Sequence, residues 1–204
     1  MQRALIVIDV QNEYETGGLK IEYPPFAQTL ARVGEAMDAA HAAGIPVVVI
    51  QHSEPADAPV FAVGSHGWQL HEAVARRPRD HHVEKHQASV LAGTGLADWL
   101  RQHGIDTLTI VGYMTQNCDD STVKQAAHEG FAVEFLSDAS GALALANRAG
   151  HASAEEVHRV TMVVMQSNFA AVLTTGEWIA AVNSGVAPER DNILVSYRRA
   201  HGLA

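Results

Sequence analysis

Thr107-Leu108-Thr109-Ile110-Val111, then Gly112 to Asn117, then Cys118 and a helically spaced segment from Asp119 to Glu129, is where the architecture of this chain can first be read. The apolar, β-branched run predicts a buried strand ending near Gly112, and the 3.6-residue period predicts a helix that begins at or beside the cysteine. A strand feeding a helix in this way is half of a βαβ unit. The same alternation recurs along the chain: strands are predicted at 4–9, 45–51, 81–84, 107–111, 131–136 and 169–173, and helices at about 25–43, 94–103, 118–129 and 153–165. Gly44-Ile45-Pro46, His103-Gly104-Ile105 and Glu129-Gly130-Phe131 each place a glycine at a helix end before a strand, where a left-handed cap is needed. The prediction is a three-layer α/β/α fold with a mainly parallel open sheet of about six strands, Rossmann-like. Residues 53–67 and 137–150 lack periodicity and read as loops.

Composition supports one large core. The 204 residues are 47% hydrophobic and only 18% charged, enough for a single domain over 1–184, with 185–204 as a C-terminal tail. The tail carries Asn192-Ile193-Leu194-Val195-Ser196-Tyr197, too apolar for water, and is expected to dock at a subunit interface. A formal net charge of −9 repels phosphate backbones and anionic lipid, so neither nucleic acid nor membrane is an expected partner. Asp9 interrupts the N-terminal apolar run too early for a signal peptide, and one cysteine cannot form an intrachain disulfide. A cytoplasmic location is expected.

In an open α/β sheet, ligands bind beyond the carboxyl ends of the strands. That rule brings Asp9, His52, Lys85, Cys118 and Asp138 to one edge. A thiol at a helix start sees unpaired N–H groups and the positive end of the dipole, which favour thiolate. Elsewhere in a chain a lone cysteine would read simply as a small buried hydrophobe.

Three segments, Ile6-Val7-Ile8-Asp9-Val10-Gln11-Asn12-Glu13-Tyr14, Val83-Glu84-Lys85 with Ser89 and Gly93-Thr94-Gly95-Leu96 downstream, and Val111-Gly112-Tyr113-Met114-Thr115-Gln116-Asn117-Cys118, resemble the isochorismatase-like cysteine hydrolases over roughly residues 3–180. That family includes nicotinamidase and N-carbamoylsarcosine amidase. The resemblance implies a catalytic triad of Asp9, Lys85 and Cys118, and a cis peptide between Tyr113 and Met114. It implies an oxyanion hole from the backbone N–H groups of Met114 and Cys118. The chemistry it implies is hydrolysis of an amide, ureido or carbamoyl C–N bond of a small molecule through a Cys118 thioester, in a homo-oligomer without a cofactor. Gln11, Tyr14, His52, Tyr113 and Asn117 are expected around the substrate.

Two departures from the family pattern carry information. Where nicotinamidases have an Asp-x-His metal motif, this chain reads Gln51-His52-Ser53-Glu54, so no metal is expected. Where the family often has valine after the cysteine, this chain has Asp119 and Asp120, carboxylates that would oppose a thiolate if they faced the sulfur, or else contact substrate or another subunit. Isochorismatases proper cleave a vinyl ether with the Asp and Lys alone, and a binding protein could keep the fold without catalysis. An intact triad argues against both alternatives.

Overall fold

The structure, a computed structural model, describes residues 1–203. Six strands, β1 (Arg3–Ile8), β2 (Val47–His52), β3 (His81–Lys85), β4 (Thr107–Tyr113), β5 (Ala132–Gly141) and β8 (Ala171–Leu173), form one parallel sheet. Their order is β3-β2-β1-β4-β5-β8, and β6 (Leu145–Asn147) and β7 (Gly150–Ala152) make a separate antiparallel hairpin. The helices are α1 (Glu13–Thr16), α2 (Phe26–Ala42), α3 (Glu72–Ala75), α4 (Leu96–Gln102), α5 (Asp120–His128), α6 (Ala154–Asn168), α7 (Thr175–Ser184) and α8 (Ile193–Ala200).

The apolar run in β1 shows why the sheet needs two helical layers. All six of its residues are buried. Ala4, Ile6 and Ile8 join Leu100, Val123 and Met165 of α4, α5 and α6 in one core, while Leu5 and Val7 join Val33, Val74 and Trp178 of α2, α3 and α7 in the other. Successive strand side chains point to opposite faces, so a run apolar at every position must be covered on both.

Two differences from the predicted elements bear on the site. Residues 137–141 belong to β5, because a register shift after Ile110 lets Ser140 and Gly141 pair with Gly112 and Tyr113. The small residues that suggested a loop are buried, and a side chain at Gly141 would run into those of Ile21 and Tyr113. The helix predicted from 118 is divided into a π-helical turn, Thr115–Asp119, and α5. Short α1 and α3 lie within segments too short for periodicity to be read.

One buried charge network ties the central strands to α7. Arg3 donates to Glu134 through Nη2 at 2.8 Å and through Nε at 3.0 Å, while Thr109 Oγ1 and Trp178 Nε1 donate to Glu134 Oε2 at 2.8 and 2.9 Å. The carboxylate is thus fully satisfied. Trp178→Phe removes one donor to a buried anion and is expected to cost about 1–3 kcal/mol in urea unfolding, with turnover unchanged.

In the tail, α8 touches α6 of its own chain, and Gln166 Nε2 donates to the Glu189 carbonyl at 3.5 Å. Its apolar residues remain outside: Ile193, Leu194 and Tyr197 are 63%, 57% and 55% exposed. Among the described residues, no helix is long and apolar enough to cross a membrane.

Candidate active site

The sheet's strand order reverses between β1 and β4, since β1 pairs with β2 on one side and β4 on the other. Crossovers diverge there, leaving a crevice at the carboxyl ends. Asp9 follows β1 with φ of +51°, a left-handed conformation that aspartate tolerates better than most residues. Gly112, in β4, has φ of +116°, and a Cβ there would collide with the backbone of Ile8. Glycine therefore lets the end of β4 lie against β1. Beyond it comes a cis Tyr113–Met114 peptide and then the π turn, in which the N–H groups of Asn117 and Asp119 both donate to the Met114 carbonyl, at 3.0 and 3.2 Å. Met114 N–H donates to no backbone acceptor among the described residues. Cys118 lies in this turn, and its own carbonyl accepts from Thr122 Oγ1 at 2.6 Å.

Lys85, the last residue of β3, joins the groups at this edge. Its Nζ is 2.7 Å from Asp9 Oδ2, both side chains being fully buried. The same ammonium donates to Cys118 Sγ at 3.3 Å and to the Gln87 carbonyl at 3.1 Å, and lies 3.2 Å from His52 Nδ1. An ammonium has three protons, so four neighbours must share them. With Nδ1 facing the Lys85 ammonium, His52 Nε2 is left to donate to Glu54 Oε1 at 2.9 Å. Neither oxygen of Asp9 accepts a well-aligned hydrogen bond, so its contact with Lys85 is ionic and its lone pairs remain available to a proton.

Electrostatics correct one expectation from the sequence. Burial, followed by the charge of Asp9, pushes the Cys118 thiol well above the ordinary cysteine range, against a smaller opposing pull from Lys85. These surroundings favour the neutral thiol over the thiolate. Its place in a helical turn does not outweigh an apolar setting and a neighbouring carboxylate. For Lys85, burial favours the neutral amine, but Asp9 and Cys118 more than offset it and hold the ammonium above the usual lysine value.

Above the sulfur is a cavity of about 350 Å³ whose wall includes Tyr14, His52, Glu54, Phe61, Asn117 and Cys118. Met114 also reaches it. Gln11 and Tyr113, expected beside the substrate, do not. Gln11 is a loop staple: its Nε2 donates to the carbonyls of His52 and Trp68 at 3.0 and 2.6 Å, and its Oε1 accepts from His52 N–H at 2.9 Å. Tyr113 is buried against Tyr14 and Phe26, with its hydroxyl 2.7 Å from Thr29 Oγ1. Asp138, expected at the same edge, instead accepts from Thr175 N–H and Oγ1, each at 2.7 Å. Asp120 pairs with Lys124 at 2.6 Å, and Asp119 is buried and accepts from Ser140 Oγ at 2.6 Å, so neither lines the cavity. Glu54 and Phe61 were not singled out from the sequence, because they come from a loop without a period. Among the described residues, no group of three or more His, Cys, Asp or Glu side chains is arranged to hold a metal ion.

A doubly wound parallel sheet with its crevice built this way defines a three-layer α/β protein of the isochorismatase-like fold. The Isochorismatase domain model matches residues 3–177, and the chain belongs to this hydrolase family. It is similar to a Burkholderia xenovorans LB400 structure assigned as an isochorismatase, with 57% identity, coverage of 98% of this chain and 97% of that one, and a TM-score of 0.97. It is also similar to the isochorismatase family protein YddQ of Bacillus subtilis, at 30% identity over 86% of this chain and 97% of YddQ. Ureidoacrylate amidohydrolase RutB of Methylobacterium radiotolerans is 27% identical over 81% of this chain and 73% of RutB.

Proposed function

We propose that this protein hydrolyses a C–N bond of a small amide, ureido or carbamoyl compound through a thioester on Cys118, with Asp9 as the proton carrier and Lys85 as the cation that holds both in place. The observation that carries this reading is the shared ammonium: one buried Nζ lies 2.7 Å from a carboxylate and 3.3 Å from the sulfur of Cys118, the one of the three residues that lines the cavity. Because the surroundings favour the neutral thiol, Asp9 takes its proton as sulfur attacks the carbonyl carbon. Lys85 stabilises the developing thiolate. The N–H groups of Met114 and Cys118 receive the oxyanion. Collapse of the tetrahedral intermediate breaks the C–N bond, and Asp9 returns the proton to the leaving nitrogen. Water, giving a proton to Asp9, then attacks the thioester, and the acid departs as the thiol re-forms.

The cavity also bears on the substrate class. A volume of about 350 Å³ suits a small molecule, and among the described residues Glu54 is the one carboxyl side chain on its wall. Neutral or cationic amides fit this wall better than anions. From the amidohydrolase relative we therefore take the bond class and not the substrate. The cysteine also separates this reading from vinyl-ether cleavage, which needs no thiol. We further infer a cytoplasmic homo-oligomer without metal or cofactor, with the exposed apolar residues of α8 at the subunit contact.

The test is a screen of small amides, ureido and carbamoyl compounds for release of ammonia or amine, followed by intact-protein mass spectrometry of enzyme quenched during turnover. An acyl adduct on Cys118, absent from Cys118→Ala, is expected. A folded Cys118→Ala enzyme that retains near-full hydrolysis would refute the scheme.

A further inference from the structure

Asp119, next to the nucleophile in sequence, takes no part in that mechanism, yet it ends a buried chain of hydrogen bonds. Asp119 Oδ2 accepts from Ser140 Oγ at 2.6 Å, Ser140 Oγ lies 2.8 Å from Thr115 Oγ1, and Thr115 Oγ1 lies 2.9 Å from His158 Nδ1. The four side chains come from the π turn, β5 and α6, and all are buried. Asp119 Oδ1 has no partner among the described residues. His158, at the far end, lines a second cavity of about 410 Å³ together with Tyr23, Ser137, Asp138 and Arg159.

Each hydroxyl in this chain has one proton to give, so the direction of one bond dictates the next. When Asp119 is ionised, Ser140 must donate to it, Thr115 to Ser140, and His158 Nδ1–H to Thr115. When Asp119 is protonated, every bond reverses and His158 Nδ1 becomes the acceptor. The bonds along the chain itself can be made in both arrangements, while Asp119 Oδ1 is without a partner among the described residues in either.

We propose that Asp119, Ser140, Thr115 and His158 form a reversible proton relay in which Asp119 is a positioning residue, its charge setting the reactivity of the Cys118 thiol and its protonation state being matched by the His158 tautomer at the second cavity. In the protonating direction, His158 Nε2 takes a proton from the cavity and Nδ1–H passes to Thr115 Oγ1. Thr115 passes its own proton to Ser140 Oγ, and Ser140 passes its own to Asp119 Oδ2. One proton moves from solvent to Asp119, and His158 is neutral before and after.

The surroundings allow both states near neutrality. Burial pushes the Asp119 carboxyl up to about 7, opposed by the Ser140 hydrogen bond; Asp9 and Asp120 raise it further and Lys85 lowers it. Cys118 and the phenols of Tyr14 and Tyr113 also feel its charge. Burial pulls His158 below the ordinary histidine value, against a hydrogen bond to the Ser137 carbonyl, and so favours the neutral ring. Its other neighbours are the Tyr23 ring, with centroids 5.8 Å apart, and Asp138 and Arg159 on the cavity wall.

The inference rests on Cys118 being the nucleophile, but its test reads thiol reactivity and needs no substrate. Cys118 is the only cysteine, so iodoacetamide alkylation reports it alone. In wild type, the logarithm of the alkylation rate should rise with pH, drop below its straight line near pH 7 by on the order of tenfold, and then rise again in parallel, since an ionised Asp119 disfavours thiolate. Asp119→Asn should give one straight line. Nitrogen-15 NMR of His158, assigned with His158→Gln, should show its proton moving from Nδ1 to Nε2 as pH falls, with the same midpoint. Should Asp119→Asn fail to fold, Ser140→Ala cuts the chain and should abolish the tautomer change. A straight wild-type alkylation profile, or a His158 tautomer constant from pH 5.5 to 8.5 (about the span in which both groups can change), would overturn the relay. A Cys118→Ala enzyme that still hydrolysed amides would defeat the nucleophile reading alone, leaving the alkylation profile to stand.

Discussion

Asp9→Asn is expected to lower turnover by at least about 10²- to 10⁴-fold, the usual contribution of a general acid–base group, while speeding alkylation of Cys118 at neutral pH. The two effects run in opposite directions because Asp9 acts on the thiol in two ways. As a charge beside the sulfur it disfavours thiolate, and its removal leaves the Lys85 ammonium, 3.3 Å from Sγ, to favour it. As the proton carrier it is needed twice, first to return the thiol proton to the leaving nitrogen and then to accept a proton from water. Asparagine keeps the shape but can do neither. A thioester that forms in this variant should accumulate, because its hydrolysis has lost the base. The measurement is turnover beside iodoacetamide kinetics over the same pH range, with circular dichroism to confirm folding. If alkylation slows in step with turnover, Asp9 serves to generate a resting thiolate and the protonated-thiol mechanism is wrong.

Much of the architecture was legible because the strands are buried on both faces. The runs Ala4 to Ile8 and Val47 to Ile50 are apolar at every position, and a run of that kind has few other places to lie than the middle of a parallel sheet. Asp9 follows the apolar run of β1, Lys85 closes β3 and Cys118 lies in the turn after β4, so the rule that ligands gather beyond the strand ends groups them, and the structure brings their side chains together. What the sequence concealed depends on contacts made across the fold. Ser137 to Gly141 looks like a loop, and only pairing with the end of β4 makes it a strand. Gln11 looks like a pocket residue because it follows Asp9, but its amide reaches the carbonyls of His52 and Trp68, 41 and 57 residues away. The setting of the thiol is hidden in the same way, since a helical turn is visible in sequence and the depth of burial around it is not. Asp119 shows the same limit: two adjacent carboxylates look alike in sequence, yet Asp120 meets Lys124 at the surface and Asp119 ends a buried hydroxyl chain.

Lys85→Met is expected to destabilise the protein by about 3–5 kcal/mol near neutral pH and to lower turnover. Methionine fills most of the space of the lysine stem, so the main loss is charge. Asp9 is then left as a buried carboxylate without its counter-ion 2.7 Å away. Turnover falls as well, because the thiolate that develops during attack has lost the cation 3.3 Å from the sulfur. The stability difference should itself depend on pH. Lys85 in the folded protein is held above its ordinary value, so the stability its charge contributes is fully present below the unfolded lysine pKa of about 10.4 and is lost as pH rises through the higher folded value. The penalty should therefore narrow at strongly alkaline pH. Urea unfolding of both proteins from neutral to alkaline pH, beside kcat, tests the argument: unchanged stability with unchanged turnover would mean that the ammonium neither supports the fold nor assists the attack.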